Sequence, residues 1–301
     1  MIKKIVFSYG GIKGLSYIGL IKYLEENNLL GNIDTYIGTS IGSLFATLLS
    51  IKYTYDDFNK HIKNFDYYSY CDLCLDNLVT KYGIDTYKNV KLFLITLLKY
   101  KNYTENTTFL EHYNSSSKML VINAVCLNTR KNTYFNYKTH PNMTIIDAVL
   151  ASMSIPLLFS CLEYNNMIYV DGGITGEFIP FEICDIKEDV DDKSSESNKS
   201  SESNIILCID LYQQYKKTRI NINTLFEYIS QIIITISEKI TKVKEKLNDN
   251  YQYIMMFSES NIPYIDMCDL NINDKLRCSL IEHGYAVCKK WHNEYINLIN
   301  K

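Results

Sequence analysis

The sequence predicts an α/β fold built around a mostly parallel sheet that helices cover on both faces. Short apolar runs typical of buried strands, such as KKIVFS and NIDTYIG, alternate with longer segments that have helical periodicity. Glycine clusters follow two of these runs, at residues 10–14 and 172–173. Because strands buried on both faces carry near-continuous apolar runs, this alternation favours a covered parallel or mixed sheet.

The first half of the chain begins as strand, glycine loop and helix. KKIVFS predicts the strand, and Leu15, Ile18 and Ile21 recur at helical spacing in LSYIGLIKYLEENN. NIDTYIG then predicts a second strand, and IGSLFATLLSI predicts a helix that is apolar on most sides. Residues 52–118, which include NVKLFLITLLKY, predict a helical cap-like excursion.

The second half returns to strands. KMLVINAVCL and NTYFNY predict a hairpin or an adjacent edge pair, and TIIDAVLASM predicts a helix. That helix should stop at SIP, because Pro156 disfavours helical dihedrals at Ile155. MIYVDGG predicts a further strand. NTLFEYISQIIITISEKITKVKEKL predicts an amphipathic helix for core or subunit packing, with a membrane-lying helix as the alternative.

The chain is expected to form a single domain over residues 1–301. Its motif-bearing core covers about residues 3–182, and strands and helices follow over residues 205–301. Between these two parts lies a segment of about residues 186–204. It includes KSSESNKSSESN, in which SSESN is duplicated and no residue is apolar. A segment of this composition cannot bury enough apolar surface to order itself, so we expect a disordered acidic, serine-rich insertion.

Composition narrows the classes of function. The 301 residues are 47% apolar and 22% charged, which is typical of a globular protein, and the net charge of −3 leaves no basic field for nucleic acid. The sequence has no run of about 18 consecutive apolar residues, the length needed to span a bilayer. Nine cysteines, an odd number, indicate free thiols in a cytoplasmic protein. Because the chain has no global basic field, any peripheral membrane contact must be local and apolar. Cys71 and Cys74 form the only CxxC, and without a second pair we expect no metal site.

A possible nucleophile lies in GTSIGS. Ser40 stands between Gly38 and Gly42, after a predicted strand and before a predicted helix. This G-x-S-x-G pattern at a strand-to-helix turn presents a hydroxyl near the positive end of the helix. A serine flanked by glycines in an ordinary tight turn is the alternative interpretation.

A possible oxyanion hole lies in SYGGIKG. Gly10 and Gly11 offer consecutive backbone N–H groups after the first strand, with no side chain in the way. A phosphate-binding loop or a plain strand-to-helix turn is the alternative. Lys13 is not a P-loop lysine, because the GxxxxGK[ST] spacing is absent.

A possible general base closes the strand MIYVDGG. Asp171 stands at its carboxyl end, where open α/β sheets place their sites. An aspartate before two glycines is also typical of an Asx turn. A partly desolvated aspartate beside a serine has a raised pKa and can accept the serine proton directly.

Taken together and in order, SYGGIKG, GTSIGS, ASMSIP and YVDGG resemble the motifs of the patatin-like phospholipases over roughly residues 3–182. The resemblance implies a three-layer α/β/α fold and hydrolysis of lipid acyl esters by a serine-aspartate dyad, without metal or cofactor. Ser40 would be the nucleophile and Asp171 its base, while the N–H groups of Gly10 and Gly11 would form the oxyanion hole.

Further positions of this sequence match the family's loops. Lys13 and Gly14 match the end of the glycine-rich loop, and Gly172 and Gly173 match the pair after the aspartate. One position departs: Tyr9 replaces the first loop glycine. It must adopt negative φ, so the loop is distorted if a positive φ is needed there. We expect the loop to survive, with the Tyr9 ring turned aside or lining the acyl site.

The resulting hypothesis is a serine carboxylic-ester hydrolase that degrades glycerophospholipids at a membrane or micelle surface. One alternative is a membrane-associated or scaffold protein on a catalytically weakened patatin fold. The other is an esterase with a Ser-Asp-His triad, which would use His283 or His292. Both histidines lie in a polar C-terminal helix pattern, so a solvated helix face is the expectation for them.

Overall fold

The computed structural model describes residues 1–66, 69–175, 205–213, 222, 224, 227–229, 231–232, 235, 251–258, 260–262, 265 and 272–299. Two predicted segments fall wholly or largely outside this set. They are the insertion at about residues 186–204 and the amphipathic helix over residues 223–247. Both stay predictions.

Strands and helices alternate along the described residues, as the sequence predicts. The strands are β1 (Ile2–Phe7), β2 (Thr35–Thr39), β3 (Gly83–Asp85), β4 (Met119–Cys126), β5 (Lys131–Phe135), β6 (Leu157–Phe159), β7 (Leu162–Tyr164), β8 (Met167–Asp171), β9 (Ile205–Asp210) and β10 (Tyr251–Met255). The helices with defined bounds are α1 (Ser16–Glu26), α2 (Ile41–Ser50), α3 (Tyr55–His61), α4 (Leu75–Lys81), α5 (Lys88–Tyr100), α6 (Phe109–Ser116), α7 (Ile145–Met153) and α8 (Asp274–Ile299).

Eight of the strands form one sheet in the order β10-β9-β1-β2-β4-β8-β7, and β5 also pairs with β4. The pairs from β10 to β4 are parallel, whereas β5, β8 and β7 join by antiparallel pairing. The prediction of an α/β fold with a mostly parallel sheet is confirmed. The predicted hairpin is present as β4 and β5.

Both faces of the sheet are buried. Successive residues of β1 point to opposite sides, so that Phe7 joins a large apolar core while Val6 joins a smaller one with Ile37 and Val121. This two-sided burial explains the near-continuous apolar runs of the parallel strands. Helix α2 buries every residue from Gly42 to Ser50, as expected for a helix covered by the sheet on one side and by other helices on the other.

The register around β4 decides where the site lies. Ile122 pairs with Gly38 of β2 and with Phe135 of β5, and Ala124 pairs with Asp171 of β8 and also with β5. Because a strand has two edges and β5 occupies one of them, β2 and β8 share the other. The two strands run toward each other along that edge, and their carboxyl ends meet beside β4.

The excursion over residues 52–118 is helical, but it also contains a strand that the sequence did not indicate. Strand β3 pairs in parallel with β6 in a separate two-stranded sheet, in which Gly83 opposes Leu157 and Asp85 opposes Phe159. Each strand has three residues, too few for a recognisable alternation. Helix α7 ends at Met153, shortly before Pro156, as predicted.

Candidate active site

Ser40 occupies the sharp turn between β2 and α2. Its backbone has φ 53° and ψ −126°, a conformation that a residue with a side chain adopts only under strain. The following helix begins at Ile41, so the hydroxyl lies at the amino-terminal end of α2. This is the strand-to-helix turn that the sequence predicts for a nucleophile.

The glycines on either side of Ser40 are required by close packing. A Cβ on Gly42 would lie 2.2 Å from the Phe7 carbonyl oxygen and 2.6 Å from that of Ser8. A Cβ on Gly38 would lie 2.3 Å from the Gly42 carbonyl oxygen. The glycines therefore let the turn fold back against β1, and Ser40 itself carries the positive φ.

Asp171 reaches Ser40 from the end of β8. The Ser40 Oγ donates a hydrogen bond of 2.6 Å to Asp171 Oδ2, and the Gly173 N–H donates one of 2.6 Å to Oδ1. The carboxylate thus makes an Asx-type turn with one oxygen and holds the serine with the other. The Asx-turn interpretation of DGG therefore holds for this residue, and its role as a general base stays a prediction.

Burial changes the chemistry of this carboxyl group. Asp171 is 4% exposed, and burial raises its pKa to about 7, although the hydrogen bonds from Ser40 and Gly173 lower it in part. A carboxyl group that titrates near neutral pH is matched to accepting and returning a proton.

Ser152 on α7 positions the turn and was not identified from the sequence. The Ser40 N–H donates to Ser152 Oγ at 2.8 Å, and Ser152 Oγ donates to the Asn123 carbonyl oxygen at 2.6 Å. Ser152 therefore links the strained turn to β4. The sequence signal was present in ASMSIP, but a buried serine in a helix has no distinctive pattern of its own.

The glycine-rich loop lies against the same turn. Gly11 has φ 56° and lines one cavity together with Ser40, while a Cβ on Gly10 would lie 2.8 Å from the Leu211 side chain. A Cβ on Gly14 would lie 2.6 Å from the Ile41 side chain, which shows how closely the loop approaches α2. The glycine-rich loop and the amino-terminal end of α2 are thus near one another, and an oxyanion hole formed by Gly10 and Gly11 stays a prediction.

The other loop positions have structural partners. Lys13 is buried, with its Nζ 5.9 Å from the centre of the Phe257 ring. A Cβ on Gly172 would lie 2.7 Å from the Asn123 carbonyl oxygen, so the turn after Asp171 packs closely on β4.

Tyr9 adopts negative φ, as its side chain requires, and is buried. A Cβ on Gly173 would lie 2.7 Å from the Tyr9 ring, so the ring covers the turn that holds Asp171. It does not line the cavity beside Ser40. Of the two positions expected for the Tyr9 ring, the structure shows the first, in which the ring is turned aside.

Comparison with known proteins assigns the family. A model described as Patatin-like phospholipase matches residues 5–185 of this chain. The chain belongs to the patatin-like phospholipase family. The predicted family resemblance is therefore confirmed, together with a lipid hydrolase function at the level of the family.

Two curated relatives of this chain carry names that refer to lipids. Probable lipid hydrolase 463L of Invertebrate iridescent virus 6 is 29% identical over 266 residues, which cover 85% of this chain and 86% of that protein. Triacylglycerol lipase SDP1L of Arabidopsis thaliana is 26% identical over 184 residues, which cover 59% of this chain and 21% of that protein.

Two solved structures share the patatin fold. VipD from Legionella pneumophila superposes with a TM-score of 0.59 and 14% identity over 97% of this chain and 67% of that chain. ExoU from Pseudomonas aeruginosa, in complex with SpcU, gives a TM-score of 0.52 and 14% identity over 97% of this chain and 52% of that chain. At this identity the likeness concerns the fold alone.

A cavity of about 120 Å³ opens beside Ser40. Its walls come from the glycine-rich loop, from α2, from the excursion over residues 52–118 and from the segment after α7. Apart from Ser40, the lining residues are apolar, aromatic or glycine, which suits an acyl chain. They are Gly11, Ile12, Leu15, Ser40, Ile41, Leu44, Phe45, Ile62, Phe65, Tyr87, Val90, Phe93, Leu94, Met153, Ile155 and Phe159.

The two C-terminal histidines are engaged elsewhere. His283 bonds to the Met256 carbonyl group, and His292 Nδ1 lies 3.1 Å from the Tyr23 hydroxyl. The expectation that they lie on a solvated helix face is wrong, because α8 packs this face against other elements and both rings are half-buried. Neither ring hydrogen-bonds to Ser40 or Asp171.

Within the residues that the structure describes, no group of three or more histidine, cysteine or acidic side chains could hold a metal ion. Cys71 and Cys74 are both free thiols. In the same part of the chain, none of the helices has the length and apolar character needed to cross a bilayer.

Proposed function

We propose that this member of the patatin-like phospholipase family is a serine acyl hydrolase that cleaves acyl esters of glycerophospholipids, with Ser40 as nucleophile and Asp171 as general base. The observation that carries the proposal is the 2.6 Å hydrogen bond from Ser40 Oγ to a buried carboxylate. That bond forms at a strained turn at the start of a helix, and Ser40 there lines the apolar cavity through which a substrate would reach it.

The reaction takes place in two halves. In the first, Asp171 accepts the Ser40 proton as Oγ attacks the ester carbonyl carbon, and the negative charge moves to the carbonyl oxygen. The N–H groups of Gly10 and Gly11 and the amino-terminal end of α2 stabilise that oxyanion. The tetrahedral intermediate then expels the alcohol, which takes the proton from Asp171 and leaves an acyl-enzyme.

In the second half, water replaces the alcohol. Asp171 accepts a proton from water, which attacks the acyl carbon, and the proton returns to Ser40 Oγ as the fatty acid leaves. The apolar cavity beside Ser40 supports this assignment, because it would shield an acyl chain from water through both halves.

We place the action of the protein at a lipid surface reached from the cytoplasm. The described cysteines are free thiols, and Cys126, Cys208 and Cys288 are buried, which supports a reducing compartment. The family description, Patatin-like phospholipase, supports a phospholipid in preference to a neutral lipid.

Activity should depend on the ionisation of Asp171. Because only the carboxylate can accept the Ser40 proton and its pKa is raised to about 7, kcat/KM should increase as the pH rises from 5 to 8, with its midpoint near 7. The measurement is hydrolysis of a fluorogenic phospholipid in mixed micelles across this range. A rate that is flat from pH 5 to 8 would contradict the role of Asp171.

Ser40 should be the residue that reacts with a fluorophosphonate probe. Labelling followed by peptide mapping should locate the adduct on Ser40, and Ser40→Ala should abolish both labelling and hydrolysis. Ser69→Ala, at an exposed serine, is the control and should keep both. A labelled residue other than Ser40, with activity retained in Ser40→Ala, would overturn the mechanism. A wild-type protein that is neither labelled nor active would favour the scaffold alternative.

A further inference from the structure

We propose that the protein docks on lipid bilayers through an exposed apolar face formed by Leu73, Leu75, Val79 and Tyr82, called here the docking face. The inference rests on the proposed function, since it assigns the surface by which a lipid acyl hydrolase would reach its substrate. The occupant of the face is the interface of a zwitterionic bilayer.

The four side chains are unusually accessible for apolar residues so close in sequence. Leu73 is 51% exposed, Leu75 65%, Val79 81% and Tyr82 61%. Leu75 and Val79 lie one turn apart on α4, a helix in which no residue is buried. Isolated exposed apolar side chains are common, whereas a concentration of them indicates a binding surface.

The docking face is held in place by ordered contacts. Asp85 of β3 accepts hydrogen bonds from the N–H groups of Asp72 at 3.0 Å and Tyr87 at 2.6 Å, and its own carbonyl oxygen accepts from the Ser160 N–H. The Cys74 N–H donates to the Ile84 carbonyl oxygen at 2.8 Å. The apolar side chains therefore project from a segment fixed at both ends.

The same segment borders the cavity beside Ser40. Before the docking face, the Tyr70 ring stacks on Phe65 at 5.0 Å and meets Phe93 at 5.4 Å, and both phenylalanines line the cavity. After it, Tyr87 lines the cavity and stacks on Phe159 at 4.1 Å. The chain thus leaves the cavity wall, forms the docking face and returns to the wall.

Further apolar surface continues the docking face on the neighbouring strand. Leu157 of β6 opposes Gly83, directly after Tyr82, and is 44% exposed. Strand β6 then runs to Phe159 in the cavity wall. A lipid surface seated on the docking face would therefore lie beside the cavity that is proposed to receive an acyl chain.

Charge favours a zwitterionic over an anionic surface. Asp72, Asp76 and Lys81 are the charged residues between residues 71 and 82, and the whole chain carries a net charge of −3. This balance offers no attraction for anionic lipid, so binding depends on burial of apolar surface and should change little with salt. Leucine, valine and tyrosine are side chains that partition into the bilayer interface.

The test is sedimentation of the full chain with phosphatidylcholine vesicles, in the Ser40→Ala background so that lipid is not consumed. We expect Leu75→Asp to lower the partition coefficient by about tenfold and Leu75→Asp with Val79→Asp by about 100-fold. Leu110→Asp is the matched control, because Leu110 is 40% exposed on α6 and outside the docking face. It should bind within about twofold of the parent, and all variants should keep the same melting temperature.

Three outcomes would overturn the docking face. They are a parent protein that does not sediment with vesicles, a double variant that binds like its parent, and a concentration-dependent dimer that Leu75→Asp dissociates, since this would make the face a contact between two copies. Probe labelling of Ser40 needs no vesicle, so it tests the proposed function separately. If Ser40 of the wild-type protein is labelled, but the double variant in the Ser40→Ala background binds vesicles as its parent does, the docking face alone is refuted.

Discussion

Asp171→Asn is expected to lower turnover by about 10³-fold or more, with the fold retained. Asparagine has nearly the same shape and can still accept the hydrogen bond from Gly173, but it cannot accept the proton of Ser40. Removal of the general base therefore leaves the nucleophile in place and inactive. The measurement is hydrolysis of a fluorogenic phospholipid in mixed micelles, with circular dichroism matched to the wild type.

The controls distinguish a dyad from a triad. His283→Ala and His292→Ala should keep activity within about tenfold, because these rings bond to Met256 and Tyr23. In a triad, loss of the histidine would cost about four orders of magnitude. A histidine variant as inactive as Asp171→Asn would therefore transfer the role of base to that histidine.

Asp171→Asn should also be more stable than the wild type at alkaline pH. The pKa of Asp171 is raised in the folded protein from 3.8 to about 7, so between these values the folded state holds a proton that the unfolded chain has released. The free energy of unfolding of the wild type therefore falls as pH rises through this window. Asparagine, which stays neutral, should recover up to roughly 4 kcal/mol at pH 8. Equal melting temperatures at pH 8 would contradict this.

Gly42→Ala is expected to disrupt the turn around Ser40 and to lower stability by about 3 kcal/mol. Its Cβ would lie 2.2 Å from the Phe7 carbonyl oxygen and 2.6 Å from that of Ser8, and backbone atoms cannot rotate away as a side chain can. Either α2 or β1 must shift, and each movement displaces Ser40. We expect a melting temperature lower by roughly 6–10 °C and the loss of fluorophosphonate labelling.

Gly31→Ala is the matched control, since a Cβ there meets no atom within 4 Å. It should melt within about 2 °C of the wild type and react normally with the probe, because exposed substitutions usually change stability by less than about 0.5 kcal/mol. If Gly42→Ala behaved like this control, the close approach of α2 to β1 would not be needed for the site.

The sequence by itself determined the fold class and the family, and it singled out Ser40 and Asp171 as candidate site residues. Ser40 and Asp171 were recognisable because their signals are local: a glycine pattern at a strand-to-helix junction, and an aspartate between an apolar strand and two glycines. Alternation of apolar segments likewise predicted the parallel sheet, because strands and helices differ in period.

Only the tertiary structure decided how these parts meet. Asp171 does lie at the carboxyl end of its strand, as the sequence predicted. What the sequence did not indicate is that β8 is antiparallel to β4 and meets β2 end to end along one edge of β4. The link from Ser40 to Ser152 and the cavity wall from residues 52–118 also join positions distant in the chain. Such contacts depend on strand register and side-chain packing across the whole sheet, which local propensity and periodicity do not specify.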